Sequence, residues 1–238
     1  MAAPADAYHT IALTRRLISR ALVCLCACVH QLSVETFEPE HIRNFCIVAH
    51  IDHGKTTLSN RILELTGVIV RDADAKDELV LDNLQVEKER GITVKAQTCT
   101  MVFQHAGRPH LLNLIDTPGH VDFSYEVSRS LAACEGAVLL VDAAQGIQAQ
   151  TVANWLLAID GGLEIVYAVN KIDMPNANAP AVIADLHRTF GVDPDHVVKV
   201  SAKTGVGVAD LLAAVIQHIP PYAARTNLTH TRERDAAC

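Results

Sequence analysis

Residues 49–57 read AHIDHGKTT, and this stretch organises the rest of the chain. Before it stands an apolar run, Phe45-Cys46-Ile47-Val48, which reads as a buried strand. After it, residues 58–65 alternate apolar and polar with helical spacing. A strand, a tight loop, GK[ST] and a helix make a phosphate-binding loop. In such a loop, successive backbone N–H groups and a helix N-terminus face an anion. Lys55 is expected to reach the β- and γ-phosphates of a nucleotide, and the Thr56 hydroxyl to bind Mg²⁺. Ala49 stands where the general pattern GxxxxGK[ST] has its first glycine.

The chain has 238 residues, room for one domain of about 150–200 residues plus tails. Half the residues are hydrophobic and only 4% are aromatic, which suits a Leu/Val/Ile/Ala-rich α/β core. The formal net charge of −7 argues against an autonomous nucleic-acid binder, which carries a basic footprint. Seven cysteines lie mostly inside apolar runs, and an odd count of this kind indicates free thiols rather than a disulfide framework. Cys24, Cys26 and Cys28 alternate, but no His/Cys pair at zinc-ligand spacing follows them. His50 and His53 flank the phosphate loop, where packing and hydrogen bonding explain them better than metal ligation.

Residues 1–34 look appended. They hold Arg15, Arg16 and Arg20 against the single acid Asp6, a charge of +2, which leaves −9 on the remainder. The apolar run 21–29 is shorter than the ~20 residues that span a bilayer. A basic, acid-poor, Ala/Leu-rich leader fits an organellar transit peptide, with a secretory signal peptide and a disordered tail as alternatives.

Residues 68–94 are polar, charged and weakly periodic, ending in Glu87-Lys88-Glu89-Arg90-Gly91-Ile92-Thr93. A solvated loop is the plain reading. The functional reading is a switch segment that orders around the γ-phosphate, with Thr93 completing the Mg²⁺ shell. Two strands are expected over 95–104 and 110–115, around the turn Ala106-Gly107-Arg108-Pro109. The second strand ends in Asp116-Thr117-Pro118-Gly119-His120. A carboxylate there can hold Mg²⁺ through a water, and Gly119 lets its backbone N–H approach the γ-phosphate. His120 is placed to orient the attacking water.

Further on, the pattern predicts a helix over 121–133, a strand over 137–141, a helix over 148–159 and a strand over 163–169. That strand leads into Asn170-Lys171-Ile172-Asp173. The Asp173 carboxylate can accept from the N1–H and 2-amino group of guanine, donors that adenine lacks. Asn170 would tie the base edge to neighbouring loops, and the Lys171 stem would cover the base face. A helix over 181–190 and a strand over 196–200 lead to Ser201-Ala202-Lys203, where a backbone N–H can reach the guanine O6. A helix over 208–219 closes the pattern, stopped by Pro220-Pro221. This alternation implies right-handed βαβ crossovers and a mostly parallel sheet, with all five motifs at the C-terminal ends of strands.

Together these motifs resemble the G domain of a translational GTPase, with RGIT and DTPGH setting it apart from Ras-like proteins. The stretches NFCIVAHIDHGKTTL, DNLQVEKERGITVKAQT and NLIDTPGHVDFSYEVSRSL, and the IPP after the last helix, resemble the LepA (elongation factor 4) family and its mitochondrial GUF-type members. VDFSYEVSRSL at 121–131 favours that family over elongation factor G or the BipA group. The similarity covers residues 42–221, and Ala49 agrees with the family.

The resemblance implies an α/β fold, a P-loop GTPase G domain at 35–221 with a mostly parallel sheet flanked by helices, then a polar tail at 222–238. It implies GTP hydrolysis to GDP on ribosomes during elongation, in back-translocation or fidelity, peripheral to the mitochondrial inner membrane on its matrix face. Another organelle or the cytosol is the alternative location, and the chain is expected to be a monomer. By position, Asp52, His53, Gly54, Lys55, Thr56, Thr57 and Asp116 to His120 carry over as phosphate and Mg²⁺ contacts. Asn170, Lys171, Asp173, Ser201, Ala202 and Lys203 carry over as base contacts, and His120 as the residue that positions water. The family continues past the G domain with β-barrel, α/β and basic C-terminal domains that contact ribosome and tRNA. With the sequence ending at Cys238, a GTP-binding module with little turnover and no ribosome function of its own is the alternative expectation. A fragment, a gene-model error and a natural truncation all fit.

Overall fold

The fold is built outward from one buried strand. A computed structural model describes residues 37–69, 97–117 and 124–222, with only the backbone of 97 and of 124–126. In it β1 (Ile42–Ala49) sits near the middle of a six-stranded sheet. The other strands are β2 (Gln97–His105), β3 (Arg108–Asp116), β4 (Gly136–Asp142), β5 (Glu164–Asn170) and β6 (Val198–Lys199), in the order β2-β3-β1-β4-β5-β6. Every neighbouring pair is parallel except the edge hairpin β2–β3, which turns through Ala106-Gly107. The sheet is therefore mostly parallel.

Helices cover both faces, so the central strands are apolar on both sides rather than alternating. Along β1, Phe45, Ile47 and Ala49 point to one face, with Leu58, Ile62 and Leu63 of α1 (Lys55–Leu65) and Leu211, Leu212 and Val215 of α5 (Val208–His218). Cys46 and Val48 point to the other, against Val127 and Leu131 of α2 (Ser124–Ala132) and Ala158 of α3 (Ala149–Asp160). The third cluster joins Val141 and Val169 to Val182, Ile183 and Leu186 of α4 (Ala179–Phe190). Each buried aliphatic side chain of this kind contributes about 1.5–3 kcal/mol through burial.

Some boundaries differ from those the sequence suggested. β1 begins three residues before the apolar run, at Ile42, since the semi-polar Ile42-Arg43-Asn44 pairs in register with Leu111, Leu112 and Asn113 of β3. α1 begins at Lys55, so Lys55-Thr56-Thr57 of the GKTT signature open the first helical turn and Gly54 stands just before it. α4 begins at Ala179, where Asn178 caps it by accepting from the Ala181 amide at 3.2 Å. The strand expected over 196–200 shrinks to Val198–Lys199. The Asp193 carboxylate caps the Asp195 amide, and Pro194 opens a 3₁₀ turn over Pro194–His196 that consumes the strand's start. Among the described residues no helix is long and apolar enough to cross a membrane.

Candidate functional site: a phosphate loop joined to two base loops

The ends of β1, β3, β4, β5 and β6 converge on one edge of the sheet, where open α/β folds bind ligands. From β1 the chain turns through His50 to Gly54 into α1. Asp52 takes a left-handed conformation (φ 62°), as does Gly54 (φ 90°), the residue that precedes the first helical turn. No side chain caps that helix start and no acid lies in its first turn, so the dipole's positive end faces the loop. A Cβ on Gly54 would stand 2.5 Å from Nδ2 of Asn170. Gly54 is thus required for its backbone angle and for the close approach of β5's last residue.

The Lys55 ammonium lies 2.8 Å from Oδ1 of Asp116, at the end of β3. The Ser59 hydroxyl reaches the same oxygen at 3.5 Å and the Lys55 carbonyl at 3.2 Å. Thr117, next in the chain, anchors its hydroxyl on the Ile47 carbonyl at 2.9 Å. The DTPGH segment is thereby tied to β1 at its start. Thr56 is half-buried and Thr57 exposed on the opening turn. Thr93, Gly119 and His120 lie outside the described residues.

His53 is fully buried beneath the loop. Its Nδ1 lies 3.4 Å from the Leu140 carbonyl, and its Nε2 has no partner among the described residues. Burial holds this imidazole below its ordinary pKa, the Leu140 carbonyl and Asp142 opposing, and His50 and Lys171 adding to the effect. The His50 ring meets it edge-on at 5.1 Å. The two rings pack against each other beneath the loop.

Asn170 is the junction between loops. Its Nδ2 donates to the His53 carbonyl at 2.8 Å, and its Oδ1 accepts from the Ala202 amide at 3.0 Å. One buried amide thus spans the phosphate loop and the loop after β6. Lys171 has φ 62° and donates to the Asp52 carbonyl, while its ammonium pairs with Asp142 Oδ2 at 2.8 Å. The exposed Asp173 accepts from the Ser201 hydroxyl at 2.6 Å, and that oxygen in turn accepts from the Thr204 amide at 3.2 Å. Ser201 and Ala202 are buried, and Lys203 is exposed at the loop's tip.

Two residues of this site escaped the sequence reading. Asp142 ends β4 with 2% exposure; its Oδ1 accepts from the Ala144 and Gln145 amides at 2.7 and 3.4 Å, and its Oδ2 holds Lys171. Burial alone would raise its carboxyl pKa, but the Lys171 and amide hydrogen bonds outweigh that and hold it below the usual range. The signal was an acid closing a fully apolar strand. Arg61, on α1, places its guanidinium on the carbonyls of Ala202 and Lys203 at 3.0 and 2.7 Å. Nothing in the local pattern of α1 marks it.

A glycine-turned loop at a helix start, a lysine–aspartate pair behind it and two further loops tied through one asparagine define a P-loop nucleotide-binding domain. The chain belongs to the elongation factor Tu GTP binding domain family, whose model matches residues 40–221. It is similar to the mitochondrial translation factor GUF1 homologue of Dictyostelium discoideum, 56% identical over 207 residues, 80% of this chain and 30% of that one. It is 57% identical to the Trichoplax adhaerens homologue over 189 residues, covering 79% and 28% of the two chains. The mitochondrial translation factor waclaw of Drosophila melanogaster is 53% identical over 232 residues, 92% of this chain and 33% of that one. The chain therefore spans 28–33% of the length of these relatives. A crystal structure from Thermus thermophilus superposes with a TM-score of 0.57 at 31% identity, over 64% of this chain and 22% of that one.

Proposed function

We propose that the chain is the GTP-binding and GTP-hydrolysing part of a mitochondrial translation factor that acts on ribosomes during elongation. The observation that carries the reading is the Asn170 bridge, which sets the phosphate loop and the base loops at fixed separation. The similarity to mitochondrial translation factors supplies the setting.

In this reading the first turn of α1 and Lys55 take the β- and γ-phosphates, with Asp52, His53, Gly54, Thr56 and Thr57 shaping the loop around them. Asp173 accepts the N1–H and 2-amino donors of guanine, the Lys171 stem lies over the base, and the 201–203 loop offers an amide to its 6-oxo group. The hydroxyl of Thr56 and the carboxylate of Asp116 are hard oxygen donors suited to Mg²⁺, Asp116 acting through a water and Thr93 joining from the switch segment. Bound there, Mg²⁺ would neutralise charge developing on the phosphate oxygens. Lys55 and Ser59 fix the Asp116 carboxylate in place. Gly119 presents its amide to the γ-phosphate, and His120 holds the attacking water in line. No arginine lies in the phosphate loop, so unstimulated turnover is slow, about 10⁻⁴–10⁻² s⁻¹.

The test is single-turnover GTP hydrolysis with and without mitochondrial ribosomes, on the chain and on His120→Ala. The variant is expected to keep GTP and Mg²⁺ binding and to lose most ribosome-stimulated hydrolysis. Unchanged stimulated turnover removes His120 from the mechanism, and no GTP binding by the unaltered chain overturns the reading. Residues 1–34 are proposed as a mitochondrial transit peptide, with the mature chain a monomer peripheral to the inner membrane on the matrix side. A fluorescent reporter fused behind them is expected in mitochondria, and a diffuse or secretory signal refutes this.

A further inference from the structure

Arg61 of α1 grips the loop that follows β6. Its ion pair with Glu64, 2.6 Å between Nη1 and Oε2, is the i,i+3 contact expected on a helix surface. That pair accounts for one edge of the guanidinium. The other edge is spent elsewhere: Nε donates to the Ala202 carbonyl at 3.0 Å, and Nη2 to the Lys203 carbonyl at 2.7 Å. Two consecutive carbonyls are held by one rigid fork, a geometry that lysine cannot reproduce. Gly205 lies beneath it at φ 86°, where a Cβ would come 3.5 Å from the Arg61 Cδ.

What this grip does follows from the amides of the same loop. Ser201 N–H donates to the Val206 carbonyl at 2.9 Å, and Gly205 N–H to the Ser201 carbonyl at 2.8 Å. Ala202 N–H goes to Asn170, Thr204 N–H to the Ser201 hydroxyl, and Val206 N–H to the Thr204 hydroxyl at 3.5 Å. Among the described residues two amides of this loop have no acceptor, those of Lys203 at its tip and of Gly207, which leads into α5. The Lys203 amide shares its peptide plane with the Ala202 carbonyl, and no peptide bond here is cis. In a trans peptide the C=O and N–H point in opposite directions. Fixing the carbonyl on Arg61 therefore fixes the N–H, aimed away from α1.

We propose that Arg61 is a specificity-determining positioning residue: from the phosphate-loop helix, it sets the Lys203 amide to donate to the 6-oxo group of the bound base. This deepens, and rests on, the guanine-nucleotide reading above. Phosphate grip and base reading are then linked through two struts, Asn170 on one side and Arg61 on the other.

The experiment compares GTP with its 6-thio analogue, whose sulfur is the weaker acceptor but whose N1–H and 2-amino donors are intact. Affinities are measured by competition on the full chain, on Arg61→Met and on Arg61→Lys. The unaltered chain is expected to prefer GTP. In Arg61→Met the GTP affinity is expected to drop about tenfold, two charge-assisted bonds being lost, while 6-thio-GTP drops less and the preference contracts at least about threefold. Arg61→Lys is expected to give an intermediate preference, and it decides the question if circular dichroism shows Arg61→Met unfolded. Equal losses for both nucleotides, or an unaltered preference, overturn the proposal by showing that Arg61 is only structural. No preference in the unaltered chain overturns the Lys203 contact. Failure of the unaltered chain to bind GTP at all would instead bring down the nucleotide reading, and this proposal with it.

Discussion

The Lys55 ammonium and the Asp116 carboxylate, 61 positions apart in the chain, form an ion pair of 2.8 Å with 8% and 1% of their surfaces exposed. A pair this buried is costly to break from one side, because the survivor keeps its desolvation penalty without its partner. Lys55→Ala is therefore expected to abolish nucleotide binding and also to lower stability by about 3–5 kcal/mol. The double variant Lys55→Met/Asp116→Leu is expected to regain most of that stability while still binding no GTP. Urea unfolding and a GTP titration measure the two effects separately. Additive losses in the double variant would show that the pair is not coupled.

Gly54 and Asn170 make a second joint. An alanine at 54 would have to hold φ near 90° and place its Cβ 2.5 Å from the Asn170 amide nitrogen. The bond to the His53 carbonyl would have to yield, and the bond to the Ala202 amide with it. Gly54→Ala is expected to cost about 1–3 kcal/mol through backbone strain and to weaken GTP binding. Asn170→Ala leaves the buried Ala202 N–H without an acceptor and is expected to cost about 1–3 kcal/mol. Thermal unfolding of the two variants and their double decides whether they act through the same joint. If they do, the double loses less than the sum.

In the proposed function Asp173 carries the choice of base. Its Oδ1 is fixed by the Ser201 hydroxyl at 2.6 Å, so the carboxylate is oriented by the neighbouring loop. Asp173→Asn replaces an acceptor pair with one acceptor and one donor, which suits the 2-carbonyl of xanthine. GTP affinity is expected to fall by about 10–100-fold and XTP affinity to rise, the discrimination typical of one bidentate base contact. Retention of the original GTP-over-XTP ratio in a competition titration would show that another group reads the base.

Much of this was legible in the residues. The phosphate loop, Asp116 and the Asn170–Asp173 and Ser201–Lys203 loops are local signatures, each at the end of an apolar run, and βαβ periodicity brings their ends to one edge. Element limits were less legible because they depend on partners. Ile42 to Asn44 joins β1 only through the register with β3, and Asp193 and Pro194 remove the start of β6 by a cap of their own. Asp142 and Arg61 were missed for the same reason. Asp142 matters through Lys171, and Arg61 through two carbonyls 141 and 142 positions away, relations that no window of sequence contains.

Acid stability tests the two buried imidazoles. His53, fully buried under the phosphate loop, and His110, 8% exposed on β3, both have pKa values held below the ordinary one. Burial leads in each case. His53 faces the Leu140 carbonyl and Asp142, which oppose the effect, and His50 and Lys171, which add to it. His110 faces the Arg108 carbonyl, which opposes, and His41, Arg43 and His105, which add. The native state therefore keeps both rings neutral at pH values where the unfolded chain, with an ordinary histidine pKa of about 6.5, already binds protons. At pH well above about 6.5 neither ring affects stability. As pH falls below that value, the unfolded state takes up protons that the native state does not, and stability drops toward the lowered native pKa values. The slope is about 1.4 kcal/mol per pH unit for each proton withheld. Chemical unfolding of the full chain from pH 7.5 to 5 is expected to show this loss, and His53→Asn/His110→Gln to flatten it. A slope unchanged in the double variant would mean that both rings protonate in the native fold as readily as in the unfolded chain. Their burial would then carry no electrostatic cost.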